Sequence, residues 1–147
     1  MSWSSIEDAV AALADGEFVL VVDDEDRENE GDLVLAAESV TADKIAFMVR
    51  HTSGLICLPV VGDRLDELGL PLMVLENTDS HKTAFTVSVD AVGKTTTGIS
   101  AADRAATIKA MVDPQTGPRD LTRPGHVFPL RYREGGVLVR PGHTEAA

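Results

Sequence analysis

A single cysteine, Cys57, occurs in the 147 residues, so no internal disulfide can form and a reducing, cytoplasmic setting is expected. Long apolar runs are missing as well. The longest, Ala9 to Ala14, falls far short of the roughly 20 residues that cross a bilayer, and no membrane association is expected. Basic residues are scarce: 13 Lys and Arg stand against 24 Asp and Glu, a formal net charge of −11. Such a surface repels phosphate backbones, which excludes nucleic acid as a partner. The opening also lacks the basic and then apolar order of a signal peptide, since Ser4, Ser5, Glu7 and Asp8 stand there instead.

What is present suits one compact domain. At 44% hydrophobic residues the chain can bury a single core, and no composition break divides residues 1–147. Ser4 with Glu7 forms a capping-box pattern, and Ile6, Ala9, Val10 and Leu13 predict a first helix that ends at Gly16. Phe18 to Val22 predicts a buried strand and Leu33 to Ala37 the returning one. Helices are expected from about Thr41 to Arg50 and from Asp63 to Leu68, with a strand at Leu55 to Leu58 between them. In Ala84 to Asp90, apolar Phe85, Val87 and Val89 alternate with polar Thr86 and Ser88, which predicts a strand with its apolar face buried. Ser100 and Asp103 open another helix that closes near Asp113-Pro114. Val127 to Arg131 and Val137 to Arg140 are expected to be strands joined through Gly135-Gly136. The resulting class is α+β, a mixed twisted sheet with helices packed on its faces. Thr144 to Ala147 reads as the first turn of a helix without a body, so the domain is expected to be truncated at its C-terminal end.

The chemistry concentrates after the first strand. Asp23-Asp24-Glu25-Asp26-Arg27-Glu28-Asn29-Glu30-Gly31-Asp32 holds seven acids and one base. Crowded carboxylates repel one another unless they are solvated, protonated or bound to a cation, and oxygen ligands suit magnesium or manganese. A solvated acidic loop is the bland reading. Its position between two apolar strands favours function, because a rigid scaffold then holds it. Asp26-x-Glu28-x-Glu30-Gly31 copies the opening of an EF-hand, but position twelve is Ala37 and the flanks are strands. Arg27 suits a phosphate or a neighbouring acid.

Arg-Pro-Gly-His occurs twice, at Arg123 to His126 and Arg140 to His143, too briefly for a repeat architecture. Either imidazole could ligate a metal or move protons. In the second copy Gly142 allows close backbone approach, and the helix start at Thr144 offers N–H groups to a phosphate. Thr95 to Ser100 supplies hydroxyls before a helix, suited either to an anion or to capping. Cys57 reads as a small buried hydrophobe, and spacing assigns His51 and His81 no role.

Asp23 to Asp32, Thr97 to Arg104, Arg123 to His126, His51 to Cys57 and Gly142 to Ala146 together, in this order, closely resemble the 3,4-dihydroxy-2-butanone 4-phosphate synthase family across the whole chain. The resemblance implies an α+β lyase of riboflavin biosynthesis that converts D-ribulose 5-phosphate into formate and 3,4-dihydroxybutan-2-one 4-phosphate with magnesium or manganese. It also implies a homodimer with its sites near the interface. By resemblance, Glu28 and His143 hold metal, and Arg27, Glu28, Asp32, Arg140, Gly142, His143 and Thr144 contact the sugar phosphate. His126 matches a residue needed for turnover, and Glu30 and Asp32 join it as candidate acids and bases. The family continues beyond its Gly-His-Thr-Glu-Ala motif to another catalytic glutamate, and some relatives are fused to a GTP cyclohydrolase II domain. A non-catalytic acidic metal-binding module and an inactive truncated relative are the competing readings.

Overall fold

The computed structural model describes residues 3–147. Helix α1, Ile6–Ala14, starts one residue later than the capping box implies: Ser5 is the cap, and its Oγ accepts from the Asp8 N–H at 3.1 Å. Strand β1, Val19–Val22, pairs antiparallel with β2, Gly31–Val34, with Val22 opposite Gly31. The returning strand thus begins at Gly31 rather than Leu33, and Ala37–Ser39 is a 3-10 turn. This register makes residues 23–30 the connecting loop of a two-stranded ribbon.

Helix α2, Ala42–His51, is capped by Thr41, whose hydroxyl accepts from the Lys44 N–H. The Lys44 ammonium donates to the Gly16 and Ser39 carbonyls, which ties the end of α1 to the start of α2. Strand β3, Cys57–Val60, lies two residues beyond the expected one, and α3, Gly62–Glu67, follows it. Strand β4, Val89–Ala91, helix α4, Ala101–Val112, strand β5, Leu121–Arg131, and a final turn α5, His143–Ala146, complete the chain. The Arg123–Pro124 peptide within β5 is cis.

The β structure is divided into two small sheets rather than one. Beside the β1–β2 ribbon stands a mixed sheet of order β3-β5-β4, parallel between β3 and β5 and antiparallel between β5 and β4. α4 packs against α2, β4 and β5. Ile45, Leu65, Leu68, Val89, Met111 and Val127 form the centre of the core, each contributing about 1.5–3 kcal/mol by burial. The Arg64 guanidinium meets the carbonyls of Asp113 at 2.7 Å and Thr116 at 3.1 Å, placing a cation where the α4 dipole is negative.

Two expectations are overturned here. Along 84–90 only Val89 and Asp90 belong to a strand, and the apolar set is split: Val89 is fully buried as expected, but Phe85 and Val87 are only partly so, while the polar Thr86 and Ser88 are buried. Burial is possible because the Thr86 hydroxyl donates to the Pro129 carbonyl and the Ser88 Oγ accepts from the Gly125 N–H. Nor does a hairpin join 127–131 to 137–140. β5 starts at Leu121, six residues before the expected strand, and Gly136–Leu138 forms a 3-10 turn. Among the described residues no helix is long and apolar enough to cross a membrane.

One buried carboxylate organises the approach to α4. Asp103 accepts from the Thr96 hydroxyl at 2.8 Å and from the Thr96 and Gly98 N–H groups at 3.1 and 3.0 Å. These bonds, the Thr96 hydroxyl foremost, hold its carboxyl below the ordinary 3.8 against the opposing effect of burial. With the folded value depressed, this contribution is complete above the unfolded value and disappears as the pH falls through the folded one. Asp103→Asn is therefore expected to lower the melting temperature at about pH 7, with a gap to the parent that narrows by about pH 2. An equal gap at both pH values in thermal melts would contradict this account.

Candidate metal centre and cleft

Asp23 is the first residue past β1, and its carboxylate turns back into the loop. One oxygen accepts from the Arg27 guanidinium and from the Glu28 N–H at 3.2 Å, and the other from the Glu30 N–H at 3.0 Å. The Glu30 N–H, with help from Arg27 and Glu28, brings its carboxyl from 3.8 down to about 2 although burial opposes this. The acidic segment is thus a folded loop wound about Asp23, not an open solvated run. Arg27 also reaches the Glu28 carboxylate at 2.9 Å.

From the other end of the chain, α5 packs against β1 and delivers His143. Its Nε2 lies 3.9 Å from Asp23 Oδ1, and its Nδ1 lies 3.8 Å from Glu28 Oε2 and 3.4 Å from Asp32 Oδ2. Nε2 is buried and, among the described residues, has no hydrogen-bond partner, a state that costs about 1–3 kcal/mol if nothing binds it. Asp23, Glu28 and His143 offer ligand atoms that all lie within 4.8 Å of one another. Two carboxylates and an imidazole fit a hard divalent cation, and the orphaned Nε2 provides an unused donor for one.

A cleft of about 870 Å³ opens beside this cluster, between the β1–β2 ribbon and the β3 end of the mixed sheet. Arg27, Glu28, Glu30, Asp32, Arg140, His143 and Thr144 all line it. Arg140 is not free: its guanidinium pairs with Glu145 and donates to the His81 carbonyl at 3.1 Å. Gly142 caps α5, which is a single turn of four residues. The hydroxyls of Thr95 and Thr96, considered above for an anion, are spent on the Ala91 carbonyl and on Asp103.

His126 is not among the residues lining this cleft. It sits on β5, with Nδ1 2.7 Å from Asp90 Oδ2, so the chain does not gather it with Glu28 and His143. Asp23, Asp90 and His81 are the residues that sequence reasoning missed. Asp23 was lost among seven similar acids, although its place directly after β1 is the signal that sets it apart. His81, whose Nδ1 lies 3.7 Å from Glu28 Oε1, comes in through a loop with no motif.

An α+β domain that brings two carboxylates and an imidazole together at the mouth of a cleft has the make-up of an enzyme with a divalent-cation site. More specifically, residues 7–147 match the model of one family. The chain belongs to the 3,4-dihydroxy-2-butanone 4-phosphate synthase family. It is 59% identical over 147 residues to the 3,4-dihydroxy-2-butanone 4-phosphate synthase of Agrobacterium fabrum, covering 100% of this chain and 69% of that protein. It is 61% identical over 145 residues to the riboflavin biosynthesis protein RibBA of Rhodococcus erythropolis, covering 99% of this chain and 34% of that one. A crystal structure of 3,4-dihydroxy-2-butanone 4-phosphate synthase in complex with two magnesium ions superposes with a TM-score of 0.95 at 55% identity, over 98% of this chain and 67% of that one. The chain thus spans about two thirds of the first relative and about one third of the second. Membership of an enzyme family sets aside the reading as a non-catalytic acidic module.

Cys57 also lines the cleft. Burial foremost, and then the charge of Asp32, push its thiol from 9.0 up to about 11. At pH 8 its thiolate population falls roughly a hundredfold below that of an ordinary cysteine, and alkylation by iodoacetamide is expected to slow accordingly. Labelling followed by mass spectrometry checks this; a rate equal to that of free cysteine would contradict the raised value.

Proposed function

We propose that this chain carries the catalytic centre of a lyase that converts D-ribulose 5-phosphate into 3,4-dihydroxybutan-2-one 4-phosphate and formate in riboflavin biosynthesis, with magnesium or manganese. The observation that carries the reading is the convergence of Asp23, Glu28 and the unpartnered Nε2 of His143 at the cleft. The magnesium-bound relative supports the choice of a divalent cation.

Glu28 and His143 are the ligands in this reading, with Asp23 beside them. Once bound, a divalent cation supplies polarisation of the sugar oxygens. In this reading Asp32 and Glu30, where the loop meets β2, take the proton next to the ketose carbonyl and return protons later in the sequence. The Glu28 and Asp32 carboxylates both approach Nδ1 of His143, at 3.8 and 3.4 Å. Arg27, Arg140, Gly142 and Thr144 hold the sugar phosphate. Glu145 fixes the direction of the Arg140 guanidinium, which limits the motion of whatever it binds and so reduces the entropic part of the barrier.

His126 completes the acid and base set in this proposal. Because it lies outside the cleft of its own chain, a homodimer that seats it at the cleft of a second copy reconciles its role with its position. A cytoplasmic setting, and a GTP cyclohydrolase II domain following this one in longer forms, belong to the same reading. The one-third span of the Rhodococcus relative supports the second of these.

The test is formate release from ribulose 5-phosphate with magnesium, abolished by chelation and restored by added magnesium; no formate from the full-length domain would refute the reading. Glu28→Gln is expected to weaken metal binding and lower turnover, each by at least about tenfold, with the melting temperature nearly unchanged. Unchanged activity would remove Glu28 from the ligand set. His126→Ala is expected to lower turnover more than metal affinity, and an equal loss of both in paired kinetics and calorimetry would move it to the metal shell.

A further inference from the structure

Away from the cleft, His126 and Asp90 form a second cluster of titratable groups. β4 and β5 change register there: Val89 is opposite Val127, whereas Asp90 is opposite Thr122. Such an irregularity bends a strand and re-aims its side chains, and here it brings residue 126 back against Asp90. The approach is close enough to require Gly125, where a Cβ would stand 1.9 Å from the Val89 carbonyl carbon and 2.3 Å from the Asp90 nitrogen. The Gly125 N–H donates to Ser88 Oγ at 3.1 Å, fixing the irregular segment from beneath.

Both oxygens of Asp90 are committed to His126. Oδ1 accepts from the His126 backbone N–H at 2.9 Å, and Oδ2 meets ring Nδ1 at 2.7 Å. The Asp90 side chain is 10% exposed and that of His126 38%, so a buried carboxylate grips a ring that still reaches solvent. A third side is closed by Gly98, where a Cβ would fall 2.0 Å from Asp90 Oδ2 and 2.6 Å from His126 Nδ1. Gly98 is itself held by Asp103. Since a carboxylate only accepts, Nδ1 must carry a proton, and in the neutral ring that leaves Nε2 with a free lone pair.

We propose that Asp90 is a positioning residue for His126: it locks the imidazole as the Nδ1–H tautomer and presents Nε2 outward as the atom that exchanges a proton with substrate. The catalytic half of this statement rests on the lyase reading above; the tautomer does not. In Asp90→Asn the amide oxygen can keep the backbone bond while its NH₂ faces Nδ1, which drives the proton to Nε2.

The experiment records ring nitrogen-15 spectra of His126 and steady-state kinetics for the parent, Asp90→Asn and Ser88→Ala. The expected result is Nδ1–H in the parent and inversion in Asp90→Asn. kcat is expected to fall by about ten- to a thousandfold, within the loss known for a mis-set imidazole tautomer, with KM for ribulose 5-phosphate changed by less than about twofold. Ser88→Ala, which loosens the same segment, is expected to retain the parent tautomer and most of kcat. Nε2–H in the parent overturns the proposal, as does an equal kcat loss in Ser88→Ala, a kcat loss in Asp90→Asn without inversion, or an unchanged kcat with inversion. If Asp90→Asn fails to fold, the parent spectrum still decides the tautomer. Absence of formate from the parent would sink the lyase reading instead, and the ring spectra would still judge Asp90.

Discussion

The carboxylate of Asp23 sets the shape of the functional end of the molecule. It accepts from Arg27, Glu28 and Glu30, so the loop that follows β1 closes on itself around a negative charge instead of extending into water. That closure neutralises part of the crowding among seven acids and turns Glu28 and Asp32 toward one point. Its cost is a residue of uncompensated charge beside a buried imidazole, and the orphaned Nε2 of His143 marks where a cation would lower the energy of the whole arrangement.

The division of the β structure into a ribbon and a separate mixed sheet is the second constraint. With no strand pairing between the two, a cleft rather than a continuous core occupies the gap. The apolar faces of α2, β2 and β3 line its floor, while the loop acids, Arg140 and His143 line its rim. A polar rim over an apolar floor suits a small charged substrate held at one end. The ion pair of Arg140 with the almost fully buried Glu145 joins the rim to α5, so the imidazole and the guanidinium are placed by the same short turn.

Helices were the most legible elements, because capping residues and period mark them locally: α2 and α4 start and stop within a residue of the expected bounds. Strands were less so. The alternation at 84–90 placed Val89 in the core correctly but missed the burial of Thr86 and Ser88, which rests on a pair of hydrogen bonds to β5 residues about 40 positions away. Likewise, Gly135-Gly136 has the composition of a hairpin turn, yet the chain there folds into a 3-10 turn that carries residue 140 toward the ribbon.

For the site, composition and order in the chain were enough to single out the acidic segment, the Gly-His-Thr turn and the family, because a metal-binding chemistry needs those residue types and each motif is local. Which of seven acids faces the imidazole, that His126 stands apart from Glu28 and is held by Asp90, and that His81 approaches Glu28 were decided only by tertiary structure. These are distances between residues remote in sequence, set by strand register and by a single turn packing on β1, and neither leaves a periodic trace in the chain.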